Sequence, residues 1–313
     1  MLRIWLFGSL SVAHGVDSEG VTSISGRCGS LLAYLALGRG RCFSRSELLG
    51  ILWPAQGNAS VNAGSFNTAL WRLRRIIECG PVRCGDLIAS DRRGGIGLSG
   101  SADIWLDTEE FEHSIAPGLA KPIERLVDAE IDGLRKGVAL YKSDILTDFI
   151  DDWALREREK HRRLYLNALW RLMQVATVRG QFGESIRHAQ SILDCDALRE
   201  DVHRELMRLF VLSGQRAQAL LQFESCRQLL RRELSIGPMR ETMDLYRQIA
   251  DNAVSGVQAV PVVPTGVTGQ PAPWLPTLPA DPQTPRQQLV VAARQYLALA
   301  DSQLELSLRP PPA

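Results

Sequence analysis

The first hundred residues of this 313-residue chain contain no lysine, although they carry 11 arginines against 6 acidic residues. A merely solvated helical surface mixes lysine with glutamate for support between successive turns. Arginine alone suits planar, two-pronged contacts to phosphate or guanine. Other absences narrow the field further. No run of about 18 apolar residues occurs, so no transmembrane helix is expected. The opening MLRIWLFGSLSV reads as a strand and lacks the longer apolar core and small-residue cleavage site of a signal peptide. Six cysteines, Cys28, Cys42, Cys79, Cys84, Cys195 and Cys226, form no CxxC pair and have no histidine at ligand spacing. Reduced thiols in a cytoplasmic protein are therefore expected. Cys79 and Cys84 are close enough in sequence to raise a redox pair, but turn or core thiols are the preferred reading.

Chemistry is equally sparse. The five histidines, His14, His113, His161, His188 and His203, are scattered, and HExxH, GxSxG and GxxxxGK[ST] are all missing. Zinc-dependent proteolysis, serine hydrolysis and ATP hydrolysis are thus not expected, and neither is any cofactor. The acidic run DIWLDTEEFE places Asp103, Asp107, Glu109 and Glu110 close together. It reads better as the entry to a helix, whose positive end favours carboxylates, than as a metal site. DFIDDW, Asp148 to Trp153, reads as a helix entry for the same reason.

What is present falls into charge blocks. Net charge is +5 over residues 1–100, −7 over 101–160, +4 over 161–250 and −1 thereafter, which leaves +1 overall. Such asymmetry points to segments with different partners. Strand-like RIWLF and VTSI come first, then three helical patterns: GSLLAYLALG, SRSELLGILWP and residues 61–78. Ser44 with Glu47 three positions on predicts a capping box for the second. DLIAS, the polar tip DRRGG and IGLS then predict a short β-hairpin.

From about residue 107 the periodicity is helical throughout: 107–116, 122–142, 153–179, 182–195, 198–213, 216–233 and 239–253. Gly180-Gln181 recurs as Gly214-Gln215, and Leu172/Leu206, Met173/Met207 and Ile186/Leu220 hold the same 34-residue register. That is the tetratricopeptide period, although Ala197 stands where proline is usual. Gly180 and Gly214 are expected to resist substitution, because tight turns between helices favour positive φ. Eight prolines between residues 255 and 285 predict an extended linker. It precedes a short helical pattern, RQQLVVAARQYLALADSQLEL, which reads as a frayed tail or as a segment docking on the helical array. The expected fold is mainly α, with three parts: an α+β winged helix-turn-helix domain at 1–105, a tetratricopeptide-like helical domain at 106–253 and a Pro-rich tail at 254–313.

On a wheel of 100° per residue, Phe66, Leu70, Leu73 and Ile77 centre one face of the 61–78 helix. The other carries Gly64, Ser65, Thr68, Trp71, Arg72 and Arg75, with Arg74 on the flank. Small polar residues followed by arginines suit a helix end set into the major groove. Trp71 either stacks on a backbone sugar or packs on a neighbouring helix. Arg92 and Arg93, on the Gly-rich hairpin tip, would reach backbone or the minor groove if the hairpin acts as a wing.

Together, LRIWLFGSLSV, LLAYLALGRGRCFSRSELLGILWP, NTALWRLRR and the hairpin resemble the winged helix of OmpR-type regulators. The stretch from DDWALREREKHRRLYLNALWRLM to LRRELSIGPMRETMDLY resembles the bacterial transcriptional activation domain. Both in this order, over roughly residues 1–253, resemble the SARP class of activators, which switch on secondary-metabolite clusters. The resemblance implies binding to promoter DNA at direct repeats, recruitment of RNA polymerase and self-association on DNA. Carried over, the groove-facing positions are Ser65, Thr68, Arg72 and Arg74, with Arg75 on the backbone, while PAQGNAS is the loop that would touch polymerase. Alanine at Arg72 or Arg74 is then expected to cost about 1–3 kcal/mol of binding and to leave the fold intact. Two departures stand out: GGIGLS lacks the aromatic residue usual in the family hairpin, and with no receiver-domain pattern in the sequence, control of this chain by aspartyl phosphorylation is not expected. The competing reading is a tetratricopeptide-like, protein-binding adaptor without DNA affinity. Five phosphate-neutralising arginines would give a slope of log K against log salt of roughly −4 to −5 per protomer, and the adaptor would give none.

Overall fold

The computed structural model describes residues 1–15, 20–54, 59–78, 83 and 85–255, with 59–61 and 252–255 as backbone only. The tail beyond 255 with its short helical pattern, Cys79, Cys84 and most of the PAQGNAS loop lie outside the described residues. The chain divides into two compact units, Met1–Met173 and Gln174 onward. This packing boundary falls inside a helix, whereas the sequence pattern changes near residue 105.

In the first unit, β1 (Leu2–Trp5), β2 (Ser11–His14), β3 (Thr22–Ser23) and β6 (Ile104–Leu106) form a four-stranded sheet in the order β3-β2-β1-β6. The opening segment, read as one strand, breaks at Gly8, whose φ of +86° turns β1 back antiparallel onto β2. β6, which the sequence pattern does not single out, runs parallel to β1, with Ile4 opposite Leu106, and the expected helix starts directly after it at Asp107. Alternation along these strands buries Leu2, Ile4, Val12 and Leu106. They pack with residues of three helices, α1 (Gly26–Leu37), α2 (Arg45–Leu52) and α3 (Ala59–Ile77). The helical residues of this core include Leu31, Leu35, Leu48, Leu52, Phe66, Leu73 and Ile77, all fully buried. The capping box on α2 is only half made. Ser44 Oγ accepts from Glu47 N–H at 3.1 Å, but the Glu47 carboxylate pairs with Arg41 at 2.8 Å.

A hairpin, β4 (Ile88–Ser90) and β5 (Ile96–Leu98), completes the winged helix. Phe43 adds an antiparallel bridge to Ile96, and its N–H donates to Ile96 O at 2.9 Å. A Cβ at Gly97 would stand 2.2 Å from Arg41 O, so only glycine lets the 41–43 backbone in. Phe43, buried and 5.0 Å from the Tyr34 ring, brings an aromatic side chain to this region although β5 has none. Arg39 fastens the exit of the hairpin, donating to Ile104 O at 2.9 Å and Ala102 O at 2.8 Å and pairing with Glu109 at 2.7 Å.

The acidic run that follows is a set of ties to other segments. Asp103 pairs with the N-terminal amine at 3.0 Å, and Asp107 Oδ2 accepts from Leu6 and Phe7 N–H at 2.8 and 2.9 Å. α4 (Asp107–Ala120) therefore begins with a carboxylate turned into the sheet. α4 and α5 (Asp128–Leu140) approach closely: a Cβ at Gly137 would lie 2.3 Å from Ile115 Cγ2. α6 (Asp152–Val178) follows and runs across the boundary between the units.

Burial pushes Asp107, only 2% exposed, up to about 6, against the opposing pull of its backbone hydrogen bonds with Phe7 and Leu6. A raised carboxylate means that the folded state holds a proton the unfolded chain has already released. Stability from this group is therefore highest below about pH 4 and falls as pH rises towards 6, by on the order of 2–3 kcal/mol. Asp107→Asn should flatten that part of the profile. Urea midpoints of both proteins across pH 4–7 measure it, and parallel profiles would refute the assignment.

In the second unit, the end of α6 leads into α7 (Phe182–Cys195), α8 (Glu200–Leu212), α9 (Arg216–Leu234) and α10 (Arg240–Ser255). The 34-residue repeat is physical. Gly180 and Gly214 have φ of +69° and +75°. Gln181 N–H donates to Ala176 O at 2.9 Å, and Gln215 N–H to Phe210 O at 2.7 Å. Each is the six-to-one hydrogen bond of a helix ending at a left-handed glycine. Ala189/Phe223 and Ile192/Cys226 hold the same register and are all buried. The fold is mainly α: a winged helix followed by a tetratricopeptide-like array.

Candidate nucleic-acid interface

The amphipathic period of α3 sorts its side chains cleanly. Phe66, Ala69, Leu70, Leu73 and Ile77 are buried, while Gly64, Ser65, Thr68, Trp71, Arg72 and Arg75 are exposed. Trp71 is 57% exposed, and the Arg75 guanidinium lies over its ring at 4.9 Å from the centroid. Stacking of this kind holds the cation without neutralising it. Arg72 is exposed too. Burial raises the Cys28 thiol, and the positive charge of Arg72 opposes that rise. Neither Arg72 nor Arg75 has a carboxylate partner among the described residues. A Cβ at Gly64 would meet nothing within 4 Å, so nothing among the described residues requires glycine at this exposed helical position.

Arg74 is placed differently. It is half-buried on the opposite flank, where it points to the hairpin: a terminal N–H donates to Ile88 O at 3.5 Å, and Nε stands 4.0 Å from Glu78 Oε2. Glu78 in turn accepts from the Leu87 and Ile88 N–H groups at 3.1 and 2.8 Å, with its side chain only 1% exposed. Arg74 and Glu78 thus tie the end of α3 to the first strand of the hairpin.

The hairpin tip is preformed. Asp91 Oδ1 accepts from Arg93 N–H at 2.9 Å and Gly95 N–H at 2.7 Å, and Gly94 turns at φ +77°. Both Arg92 and Arg93 are exposed, and neither side chain has a partner among the described residues. Of the residues singled out from sequence, Ser65, Thr68, Trp71, Arg72 and Arg75 share the exposed side of α3, Arg92 and Arg93 form the tip, and Arg74 stands between helix and hairpin.

Three further residues order this surface and were missed in the sequence. Trp53 Nε1–H donates to Ser65 Oγ at 3.0 Å, Arg45 donates to Asn67 Oδ1 at 2.8 Å, and Glu78 anchors the hairpin. A signal existed only for Glu78, the one acid in an arginine-rich helix.

Residues 106–250 match the family model for the bacterial transcriptional activator domain. The chain is 26% identical over 250 residues to regulatory protein AfsR of Streptomyces coelicolor, covering 78% of this chain and 24% of that protein. AfsR of Streptomyces griseus is 26% identical over 259 residues, with 79% and 24% covered. Through this domain and its AfsR relatives the chain resembles the SARP type. It spans about a quarter of the length of these curated relatives. In fold it is similar to Mycobacterium tuberculosis EmbR, solved in complex with a low-affinity phosphopeptide. The TM-score is 0.66 at 16% identity, over 96% of this chain and 71% of that one. No helix among the described residues is long and apolar enough to cross a membrane.

Proposed function

We propose that the chain is a sequence-specific DNA-binding transcriptional activator that binds promoter repeats through its winged helix and recruits RNA polymerase. The observation that carries this reading is the exposed face of α3, where Arg72 and Arg75 stand unneutralised beside short polar side chains. Arg92 and Arg93 on the wing add backbone contacts. Ser65, Thr68 and Trp71 meet the groove, and Arg74 holds the wing in place. In this reading function divides into DNA binding at 1–105, activation and self-association at 106–253, and a tail at 254–313. The protein acts in the cytoplasm on double-stranded DNA, without a membrane, a cofactor or catalysis.

The test is binding of the purified chain to a library of short duplexes at two salt concentrations. With Arg74 engaged by Glu78, four arginines remain, so log K should fall against log salt with a slope of roughly −3 to −4 per protomer. A repeated motif should be enriched. A flat slope without enrichment would favour the adaptor instead. A partner would then be sought in the second unit, at a groove of about 530 Å³ lined by Gln190, Asp194, His203, Gln222, Gln228 and Arg232.

A further inference from the structure

The exposed surface of α3 shows almost a single hydrogen-bonding polarity, and neighbouring side chains make it so. Trp53, buried at the end of α2, donates its indole N–H to Ser65 Oγ at 3.0 Å. That bond occupies one hydroxyl lone pair, and the Ser65 O–H has no acceptor among the described residues, so it faces a partner as a donor. At the start of α2, Arg45 donates to Asn67 Oδ1 at 2.8 Å. A guanidinium accepts nothing, so this contact fixes the Asn67 amide with its NH2 group directed away. The Trp71 indole N–H, Arg72 and Arg75 add further donors. Glu78, which would have supplied acceptors, is turned inward onto Leu87 and Ile88. Thr68 is the exception: it gives its hydrogen to Gly64 O at 3.0 Å and presents oxygen and methyl.

A donor surface selects an acceptor surface. In the major groove guanine presents two adjacent acceptors, N7 and O6, whereas adenine pairs its acceptor with a donor, cytosine offers a donor, and thymine offers one acceptor beside a methyl group. We infer that α3 reads guanine, with Trp53 and Arg45 as positioning residues that turn Ser65 and Asn67 into donors. This rests on the DNA-binding reading above. Ser65 and Arg72 lie two helical turns apart on one flank, roughly 10 Å along the axis, so the guanines they meet fall about three base-pair steps apart.

The experiment uses the full chain and its enriched duplex, with each guanine in turn replaced by 7-deazaguanine, which keeps Watson–Crick pairing and lacks the N7 acceptor. One or two positions should weaken binding by about tenfold. Trp53→Phe, which keeps the ring and removes the N–H, should abolish the penalty at the guanine facing Ser65 and leave binding to random duplex unchanged. If that variant does not fold, Ser65→Ala removes the donor alone and should give the same loss of penalty. Uniform weakening on all duplexes by Trp53→Phe would overturn the positioning role. An enriched motif without guanine, or tolerance of 7-deazaguanine throughout, would place the donors on phosphate and overturn the inference while sparing the DNA-binding reading. Absence of any salt-dependent duplex binding would overturn both.

Discussion

Replacing Arg72 and Arg75 together by alanine should weaken duplex binding by about 3 kcal/mol, roughly a hundredfold, with little change in melting temperature. The two effects separate because these guanidiniums do nothing for the fold. Both are exposed, neither meets a carboxylate among the described residues, and Arg75 rests only on the outer face of Trp71 at 4.9 Å. Their backbone positions are set from the other side of the helix, by Phe66, Leu73 and Ile77, which are fully buried. Because Arg75 is already held on the Trp71 ring, little side-chain entropy remains to be lost on binding, which favours a large effect. Titration by fluorescence anisotropy at two salt concentrations checks the prediction and should also show the salt slope reduced by about 2. Undiminished affinity in a folded double mutant would remove α3 from the interface.

Much of this architecture was legible in the chain because helices announce themselves by period. The buried and exposed faces of α3 fall where the wheel puts them, and Gly180 and Gly214 end their helices in the same hydrogen-bonded turn. The misreadings share one cause: they depend on pairing between distant segments. β1 and β2 looked like one strand because the positive-φ turn between them falls on a single glycine, Gly8, within an otherwise largely apolar stretch. β6 did not look like a strand because IWL is too short to show a period, whereas the carboxylates after it do open a helix, α4, as expected. What sets the structure of β6 is pairing with β1, some hundred residues away, and the tie from Asp107 to Leu6 and Phe7. The candidate interface divides in the same way. Arg72 and Arg75 were visible from the wheel alone. The bond from Trp53 to Ser65 was not, since no local pattern says which side chain will cross from α2 to α3.

The largest effect on stability should come from Glu78→Ala, at about 2–5 kcal/mol, because it leaves the Leu87 and Ile88 N–H groups buried without their acceptor. Glu78→Gln keeps a carbonyl oxygen for those two donors and should lose much less. The comparison separates hydrogen bonding from charge. Arg74→Ala tests the charge directly: it removes the cation 4.0 Å from a carboxylate that is 1% exposed. A buried charge stripped of its partner is costly, but Arg74 itself is about one-third exposed, so a loss of about 1–3 kcal/mol is expected. The sequence-based expectation for this arginine was weakened binding with an intact fold, and the structure reverses the emphasis. Any loss of DNA affinity in Arg74→Ala should follow from a displaced hairpin, and it should shrink when the wing arginines Arg92 and Arg93 are already alanine. Denaturant unfolding of the three single variants, with binding measured in a cycle between Arg74 and the wing pair, provides the check. Full additivity in that cycle would return Arg74 to the groove as an independent contact.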